Sequence, residues 1–453
     1  MDLLKLAQSK QEEMVKDLCD LLKIKSVTDM STSKQNAPFG EGIKDCLEHF
    51  LEMAKKDGFN TLNDEGYAGV VEYGTSEDLV GILCHLDVVP AGGVWKYPPF
   101  SATIEDGKIY ARGAMDDKGP TIAAYYALKI IKELGIKLNK RIQIILGTDE
   151  ETGWRGIDHY SQKYQMPKLG FAPDADFPLI YGEKGIFNAF LVGDLNDEII
   201  SIEAGERFNV VIDEATVVLK NNHQDKFNEY LTNNNLKGTF KELTNGYEYK
   251  VFGISAHAME PFKGINAGTH LLSFLNTVLE SPFISFIANN LHNEHFLKKL
   301  NLDLYHEEMK ELTCNIGIIK IENQKLVVSL DIRYPIGFEE NTFVNQMNEK
   351  LNKAAQIVVV QNKAPHYVPR NSQLVETLYN VYKEFTGDEV NEPKTIGGGT
   401  YARALKEGVA FGMELPNQES VVHQPNEYVE INTLVKATAI YAKAILKLGG
   451  YDA

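Results

Sequence analysis

The stretch LVGILCHLDVVP, residues 79–90, predicts a buried strand that ends at a polar pair. From Leu79 to Cys84 every residue is apolar or glycine, which favours a central parallel strand over an exposed edge strand. His85 and Asp87 follow where the strand should end, and alternate spacing puts both side chains on one face of an extended segment. Ligands bind at such strand ends in open α/β sheets. An imidazole there could bind a metal, although an ordinary solvated turn uses the same two residues.

Length and charge narrow the classes of partner. A chain of 453 residues is too long for one compact core, so at least two domains are expected. The net charge of −17 argues against nucleic acid and against an anionic membrane, because both need basic patches. Cations and small substrates stay open as partners.

The cysteines and the N-terminus indicate a cellular compartment. The four cysteines lie far apart and form no C-x-x-C pair, which fits reduced thiols. The N-terminus lacks the basic and apolar regions of a signal peptide, and no apolar run approaches the ~18 residues of a membrane helix. We therefore expect a soluble, cytoplasmic protein.

The order of predicted elements indicates an inserted domain. Strands and helices alternate over residues 1–184 and again over 371–453, which predicts an α/β domain with helices on the faces of its sheet. Residues 185–370 are richer in strands and have the antiparallel character of an α+β segment. We predict one domain built from the two outer parts and a second domain inserted between them.

Individual elements follow from periodicity and turn residues. The leucine spacing over residues 3–24 predicts one amphipathic helix, and Asp106–Gly107 predicts the turn of a hairpin. The strand RIQIILG, residues 141–147, runs directly into an acidic segment. In the inserted part, helices are expected over 266–279 and 283–299.

Four further polar signals follow elements of the α/β part: the pair Asp116–Asp117, the acids Asp149–Glu151, the pair Asp174 and Asp176, and His423. Each has an ordinary explanation as a helix-dipole partner, an acidic turn or a surface histidine. Three consecutive acids, however, repel one another unless a cation or protons neutralise them. Taken together, the signals place histidines and carboxylates near one sheet edge, in the ligand types that suit zinc or manganese.

The number of these residues matches a two-metal site. One carboxylate between two ions, with a histidine and a carboxylate for each ion, requires five ligands. The five candidates are His85, Asp116, Glu151, Asp174 and His423. Glu150, next to a ligand glutamate, is the natural general base for a water activated by the two ions.

Two other signals are weaker. GGGTYAR, residues 397–403, lacks the GK[ST] of a phosphate loop and suits close backbone approach to a small ligand, with Arg403 near a carboxylate. A flexible turn before a helix explains the same glycines. His257, in GISAHAMEP, is a lone histidine of the inserted part, and such residues are usually structural.

These motifs resemble those of the dinuclear zinc peptidases that include aminoacylase, carboxypeptidase G, succinyl-diaminopimelate desuccinylase and carnosinase. The matching motifs, in order, are HLDVVP, ARGAMDDKGP, TDEETG, PDADFP and HQPNE. DDKGP, DADFP, GISAHAMEP and GGGTYAR together are most similar to the bacterial peptidase V-type dipeptidases. The resemblance implies a mixed-sheet catalytic domain, residues 1–184 and 371–453, and an α+β lid of two subdomains, residues 185–370.

The resemblance also implies a role for each metal-site residue. Asp116 would bind both metals and have a cis peptide bond to Asp117. Glu151 and His423 would complete one site, and His85 and Asp174 the other. Asp87 would support His85, and Glu150 would act as general base and then as general acid.

For the lid, the resemblance implies substrate contacts. His257 would stabilise the oxyanion within its own chain, since peptidase V-type enzymes with a doubled lid are monomers. Asn209 and Arg333 would hold the substrate, and Gly398, Gly399 and Arg403 would bind its carboxyl end.

The expected function is that of a cytoplasmic, monomeric dipeptidase that uses two divalent ions, Zn²⁺ or Mn²⁺, on small dipeptides with a free N-terminus. One alternative is an amidohydrolase that removes an acyl or succinyl group from an amino acid. The other is a non-catalytic metal-binding or peptide-binding protein of the same fold. The presence of all five candidate ligands and of the candidate base Glu150 disfavours the non-catalytic alternative.

Overall fold

The computed structural model describes residues 1–451, which divide into two compact units. The first unit comprises Met1–Tyr181, Tyr367–Lys394 and the chain from Gly399 onward. The second unit comprises Gly182–His366 and the short segment Thr395–Gly398.

The α-helices of the described chain are α1 (Leu3–Ser9), α2 (Gln11–Leu22), α3 (Glu41–Lys56), α4 (Lys118–Glu133), α5 (Arg155–Lys163), α6 (Gln224–Asn233), α7 (Ala267–Leu275), α8 (Pro282–Asn290), α9 (Glu340–Leu351), α10 (Gln373–Thr386) and α11 (Ile431–Leu448). Among the helices of residues 1–451, none combines the length and the apolar character that crossing a bilayer requires.

The first strands along the chain are β1 (Asn60–Asp64), β2 (Ala68–Tyr73), β3 (Leu79–His85), β4 (Thr103–Glu105), β5 (Lys108–Tyr110), β6 (Arg141–Gly147), β7 (Leu169–Ala172), β8 (Ala175–Asp176), β9 (Ile180–Glu183), β10 (Gly185–Asp194), β11 (Ile199–Ala204) and β12 (Glu214–Leu219).

The later strands are β13 (Lys237–Leu243), β14 (Gly246–Phe252), β15 (Tyr305–His306), β16 (Lys310–Glu311), β17 (Thr313–Asn315), β18 (Ile319–Glu322), β19 (Lys325–Tyr334), β20 (Ala355–Lys363), β21 (His366–Tyr367), β22 (Lys394–Ile396), β23 (Glu407–Ala410), β24 (Met413–Glu414) and β25 (Tyr428–Glu430).

The main sheet of the first unit is mixed. Strands β1, β2, β6, β3, β7 and β23 lie side by side in that order. β3 runs parallel to β6 and to β7, and its residues Leu79–His85 are all buried, whereas β2 pairs with β6 in the antiparallel direction. The α/β class and the central parallel strand predicted from LVGILCH are confirmed. Because β3, β6 and β7 run in one direction, their carboxyl ends meet at the same sheet edge.

Helix α4 fills the space beside this sheet. Its residues from Lys118 to Ile131 are all buried, as a helix that is apolar around its circumference requires. It packs against α11, α2 and β3. The small residues Ala123, Ala124 and Ala127 let these neighbours approach closely. The hairpin predicted at Asp106–Gly107 is confirmed, since β4 and β5 pair across these two residues, both of which have positive φ.

The second unit has its own sheet and its own core. Its strands follow the order β13, β14, β12, β11, β18, β19, β10 and β20, and all these pairings are antiparallel. Helices α7, α8 and α9 contribute residues such as Leu271, Phe283 and Phe343 to the core of this unit. The predicted α+β character is confirmed, and the strands form one continuous sheet.

The single N-terminal helix predicted over residues 3–24 is wrong. The structure has two helices, α1 and α2, which meet at Lys10. The hydroxyl of Ser9 donates to the carbonyl of Leu6 at 2.7 Å, and the N–H of Lys10 donates to Ala7 instead, at 3.1 Å. The serine side chain thus takes an acceptor of the helix backbone and helps to end α1.

The helix predicted over residues 283–299 is also too long. α8 ends at Asn290, and the N–H of His292 bonds to the carbonyl of Ile287 at 2.9 Å. Asn293 and Leu297 have positive φ, which is incompatible with a right-handed helix. The four cysteines, by contrast, are buried free thiols, as expected.

Candidate metal centre

Five histidine and acidic side chains gather at the carboxyl ends of the parallel strands in the first unit. His85 is the last residue of β3, Glu151 follows β6, and Asp174 follows β7. Asp116 lies in the loop between β5 and α4, and His423 in the loop between β24 and β25. The strand direction therefore explains the position of three of the predicted residues, and two loops supply the others.

The first group consists of His85, Asp116 and Asp174. Nε2 of His85 lies 3.0 Å from Oδ1 of Asp116 and 3.6 Å from Oδ2 of Asp174. One donor atom from each of the three residues lies within 4.8 Å of the others, a spacing at which a single ion can be bound.

The second group consists of Asp116, Glu151 and His423. Nε2 of His423 lies 2.8 Å from Oδ2 of Asp116 and 3.2 Å from Oε1 of Glu151. This group satisfies the same 4.8 Å criterion. Asp116 belongs to both groups, and it presents a different carboxylate oxygen to each histidine.

The ring of His85 is oriented as a metal ligand requires. Nδ1 lies 2.9 Å from the carbonyl oxygen of Asp87, so a neutral ring carries its proton on Nδ1. Nε2 is buried and has no hydrogen-bond partner of acceptable geometry within residues 1–451. Nε2 therefore lies close to Asp116 and Asp174 without a hydrogen bond to either, which leaves its lone pair available to a cation.

The charges of the two groups also fit a cation. Burial alone would lower the pKa of His85, but the carboxylates of Asp116 and Asp174 outweigh burial and raise that pKa well above its usual value. Burial likewise opposes the charge of His423, yet Asp116 and Glu151 raise its pKa to about 11. The carboxylates thus favour the protonated form of both imidazoles. A divalent ion that displaces these protons supplies the same positive charge.

The acids of the centre differ in pKa because their neighbours differ. Burial would raise the pKa of Asp116, but His423 and His85 outweigh burial and lower it below the usual value. Burial and the charge of Asp116 raise the pKa of Glu151 to about 7, against the opposing effect of His423. Asp116 is therefore the most strongly ionised acid of this set, as suits the residue shared by both groups.

Asp87 contacts both neighbouring strand ends. Its carbonyl pairs with the ring of His85, and its carboxylate Oδ1 lies 3.6 Å from the same Nδ1. The carboxylate oxygens accept hydrogen bonds from the backbone N–H groups of Glu150 and Glu151, at 3.1 and 3.0 Å. Asp87 thereby orients the imidazole of His85 and the acidic loop after β6 at once.

Asp117 also helps to hold His85 in place, through the backbone N–H of that residue. The peptide bond between Asp116 and Asp117 is cis. Oδ2 of Asp117 accepts hydrogen bonds from the N–H of His85 at 3.0 Å and from the hydroxyl of Thr121 at 3.1 Å. The loop with Asp116 is thus tied to the end of β3 and to the first turn of α4.

Asp149 does not belong to the centre. The run of three acids at residues 149–151 predicts mutual repulsion unless a cation or protons neutralise it. The Asp149 carboxylate instead accepts hydrogen bonds from Nε and Nη2 of Arg155, both at 2.8 Å. Arg155 therefore neutralises the first acid, and only Glu150 and Glu151 remain for the centre.

Glu150 has the properties of a group that exchanges protons. Its side chain is partly buried beside the two groups of candidate ligands. Burial raises the pKa of Glu150 well above its usual value, and the carboxylates of Asp174 and Glu151 add to this rise against the opposing charge of His85. A carboxyl group with a raised pKa is suited to general acid–base chemistry.

Sequence reasoning missed a buried ion pair beside the centre. Nη1 of Arg112 lies 2.6 Å from Oε2 of Glu427, and both residues are almost completely buried. Arg112 stands in ARGAMDD and Glu427 in HQPNE, so both lay inside the motifs that pointed to Asp116 and His423. No signal in the sequence marks the two residues as a pair, because their burial and their contact depend on the fold.

The predicted residues of the inserted part are found in the second unit. His257 and Asn209 are exposed and lie on adjacent segments, because the N–H of Ala258 donates to the carbonyl of Asn209 at 3.0 Å. Nδ1 of His257 accepts the N–H of Met259 at 3.1 Å. A neutral ring at position 257 therefore carries its proton on Nε2.

Arg333 is buried in the second unit, and much of its hydrogen-bonding capacity is used there. Nε and Nη2 donate to the carboxylate of Asp331 at 2.6 and 3.0 Å, and Nη1 donates to the carbonyl of Gly397 at 3.1 Å. Arg333 thus fixes the start of the glycine-rich segment. Its predicted contact with substrate stays a prediction.

The remaining predicted residues follow Gly397 along the chain. Gly398 is the last residue of the second unit, and Gly399 belongs to the first. Arg403 is partly buried in a short 3-10 turn, Tyr401–Ala404, of the first unit. Their proposed contact with the carboxyl end of a substrate stays a prediction as well.

Comparisons with known proteins identify relatives along the whole chain. Residues 81–447 match the Peptidase family M20/M25/M40. "Putative dipeptidase YtjP" from Bacillus subtilis (strain 168) is 40% identical over 457 aligned residues, which cover 97% of this chain and 98% of that protein. A "Putative dipeptidase" from Staphylococcus epidermidis is also 40% identical and covers 97% of both chains.

Solved structures share the fold at low identity. Human carnosine dipeptidase 1 superposes with a TM-score of 0.60 at 15% identity, over 99% of this chain and 98% of that chain. The di-peptidase Dug1p from Saccharomyces cerevisiae superposes with a TM-score of 0.60 at 14% identity, over 100% and 98%. The family match extends over most of the sequence and the curated relatives align from end to end. The chain therefore belongs to the Peptidase family M20/M25/M40.

Proposed function

We propose that this protein is a metal-dependent dipeptidase that hydrolyses dipeptides with a free N-terminus. The observation that carries the proposal is the position of Asp116 between two groups of ligands, with one carboxylate oxygen facing each. A carboxylate in this position would suit a pair of divalent ions, as in two-metal hydrolases.

The two groups of three side chains support the proposal that a pair of ions is bound. Asp116 would bind both ions, His85 and Asp174 would complete one site, and Glu151 and His423 the other. Imidazole and carboxylate ligands suit Zn²⁺ and Mn²⁺, so these are the ions that we propose.

Two such ions, when bound, would lower the pKa of the attacking water and stabilise negative charge on the scissile carbonyl oxygen. Glu150 accepts a proton from the water as the oxygen of the water attacks the carbonyl carbon of the peptide bond. Glu150 then donates this proton to the amine nitrogen as the C–N bond breaks. Its raised pKa lets one carboxyl group act first as base and then as acid. Asp87 supports both events because it accepts the N–H of Glu150.

In the second unit, we propose that His257 donates a hydrogen bond to the oxyanion of the tetrahedral intermediate. The proton on Nε2 of a neutral ring, required by the hydrogen bond from Met259 to Nδ1, supports this role. Asn209 and Arg333 would hold the substrate, and Gly398, Gly399 and Arg403 would bind its carboxylate. These assignments rest on the sequence motifs that they occupy. We also propose that the protein works as a monomer, with His257 acting in its own chain, and that residues 185–370 act as a lid.

Dipeptides are the proposed substrates because the 40% identical relatives from Bacillus and Staphylococcus carry the name of dipeptidases. The buried free cysteines support a reducing compartment, so we propose the cytoplasm as the location.

The proposal is tested with purified protein and a substrate panel. Free dipeptides are compared with N-acetyl and N-succinyl amino acids, before and after chelation and after addition of Zn²⁺ or Mn²⁺. We expect hydrolysis of the dipeptides, lost with chelator and restored by metal. Preference for the acylated amino acids would instead support the amidohydrolase alternative, and hydrolysis unaffected by metal removal would contradict the metal-dependent mechanism.

A further inference from the structure

We infer that the buried Arg112–Glu427 ion pair is a positioning device that fixes the ligand loops of Asp116 and His423 relative to each other. Neither residue belongs to the two groups of candidate ligands. The inference rests on the proposed two-metal site and adds the two residues that keep its ligands in place.

Glu427 acts on the loop that contains Asp116. Its Oε1 accepts hydrogen bonds from the N–H of Met115 at 2.8 Å and from the N–H of Asp116 at 3.1 Å. This loop lies between β5 and α4 and consists of turns. The N–H of Ala114 bonds within the loop, to the carbonyl of Ala111 at 3.2 Å, whereas the N–H groups of Met115 and Asp116 have the side chain of Glu427 as their partner. Glu427 is completely buried, so its carboxylate is shielded from the surrounding solvent.

Arg112 acts on the loop that contains His423. Its Nη2 donates to the carbonyl of His423 at 3.3 Å, while Nη1 donates to the carboxylate of Glu427 at 2.6 Å. His423 has a φ of 62°. Along the sequence it lies inside the loop between β24 and β25, and it does not directly follow a strand. The strand that fixes His85 therefore has no counterpart at His423, and the guanidinium supplies an anchor for its backbone.

The pair connects two segments that are far apart in the sequence. The N–H of Ala111 donates to the backbone carbonyl of Glu427 at 3.1 Å, which joins the two segments directly. The N–H of Arg112 donates to the backbone carbonyl of Pro99 at 2.8 Å. Arginine suits this place because its fork of donors reaches a carboxylate and a carbonyl together, whereas a lysine ammonium is a point charge.

The geometry predicts an unequal effect on the two ion sites. Arg112 contacts the backbone of His423, which belongs only to the group with Glu151, and no residue of the Arg112–Glu427 pair contacts His85 or Asp174 through a hydrogen bond in the described chain. Loss of the Arg112 contact should therefore weaken the Asp116–Glu151–His423 site more than the His85–Asp116–Asp174 site. Loss of the Glu427 carboxylate also removes the partner of the Asp116 N–H, and Asp116 belongs to both sites, so it should weaken both.

The test uses Zn²⁺ alone as the probe, titrated into metal-free protein in competition with a chelating dye. The first variant, Glu427→Gln, keeps the shape of the side chain but removes its charge. The second variant, Arg112→Lys, keeps a buried cation but loses the fork of donors. It also serves as the test if Glu427→Gln does not fold. Each is combined with His85→Ala, which leaves only the site of His423, and with His423→Ala, which leaves only the site of His85. For Arg112→Lys, affinity should fall about 10–100-fold in the His85→Ala background and less than about threefold in the His423→Ala background. For Glu427→Gln, affinity should fall in both backgrounds, because Asp116 is a ligand in each.

The matched control is Asp57→Asn in the same unit. Asp57 accepts a hydrogen bond from the buried Lys129 at 2.6 Å, so this variant also removes one charge of a partly buried ion pair. It should lower the Tm and leave both Zn²⁺ affinities unchanged. Equal weakening of both sites by Arg112→Lys, no weakening by either variant, or the same pattern in Asp57→Asn would overturn the inference. The wild type is titrated first, because fewer than two bound ions there would contradict the proposed function itself.

Discussion

The carboxylate of Asp87 accepts the backbone N–H of Glu150 at 3.1 Å, and the carbonyl of the same aspartate pairs with the ring of His85 at 2.9 Å. One completely buried residue thus sets the orientation of a candidate ligand and the backbone of the candidate base. These two groups follow neighbouring parallel strands, β3 and β6, so Asp87 aligns two strand ends that the sheet has already brought together.

Replacement of Asp87 by asparagine should therefore reduce turnover. The amide offers one oxygen and places an NH₂ group where the second backbone N–H now donates, so the loop of Glu150 and Glu151 must shift. We expect kcat to fall about 10–100-fold, the range typical for residues that orient metal ligands. Steady-state kinetics on a dipeptide at saturating metal gives the measurement.

Asp64→Asn serves as the control for Asp87→Asn. Asp64 is a buried aspartate of the same unit that accepts from His159 and Lys163, away from the candidate ligands. This variant should keep its kcat even if its Tm falls. An unchanged kcat in Asp87→Asn would show that the loop after β6 holds its position without the carboxylate.

Glu150→Gln should separate metal binding from chemistry. The amide is similar in size to the carboxyl group but accepts no proton from water, so turnover should fall by at least 10²-fold. Zn²⁺ or Mn²⁺ affinity should change little, because Glu150 belongs to neither group of candidate ligands. Metal titration and kinetics on the same preparation provide both values, and turnover near that of the wild type would exclude Glu150 as the base.

The strand ends could be predicted from the sequence, because an apolar run followed by polar residues is a local pattern. Apolar runs in LVGILCH and RIQIILG define β3 and β6, and parallel strands must bring their carboxyl ends together. This rule points to His85, Glu151 and Asp174, which follow strand ends. Asp116 and His423 lie in loops, and their selection rests on their polar motifs and on the count that a two-metal site requires. The structure brings the same five residues together in two groups.

Other features could not be predicted because they depend on partners distant in the sequence or on a single side chain. Asp149 looked equivalent to its two acidic neighbours, yet its pairing with Arg155 removes it from the centre. Arg112 and Glu427 are separated by most of the chain, and only the fold shows that they meet. At the N-terminus, the hydroxyl of Ser9 contributes to the break between α1 and α2, where apolar periodicity continues unchanged.

Metal binding should release protons. Without a metal, the pKa of His423 is about 11 and that of His85 lies well above its usual value, so both rings bind protons at neutral pH. A cation must displace these protons, and its apparent affinity should therefore rise with pH, by up to about tenfold per pH unit for each proton released.

The pH effect is measured by calorimetric titration of the metal-free protein in buffers that differ in ionisation enthalpy. The dependence of the observed heat on the buffer gives the number of protons released. His423→Ala should release fewer protons than the wild type. Affinity that does not change between pH 6 and 8 would indicate that the histidines are already neutral in the metal-free protein.

His257→Ala should impair the chemical step alone. Its Nδ1 accepts the N–H of Met259, so the proton on Nε2 is the one that can stabilise an oxyanion, and loss of such a donor costs about 10²–10³-fold in kcat. Tm and metal affinity should be unchanged, because the side chain is exposed and lies outside the two ligand groups. His223→Ala, which removes a histidine paired with Glu198 in the same unit, should keep its kcat. If His257→Ala loses less than about threefold in kcat, the oxyanion is stabilised by other groups and the histidine serves the loop that contains Met259.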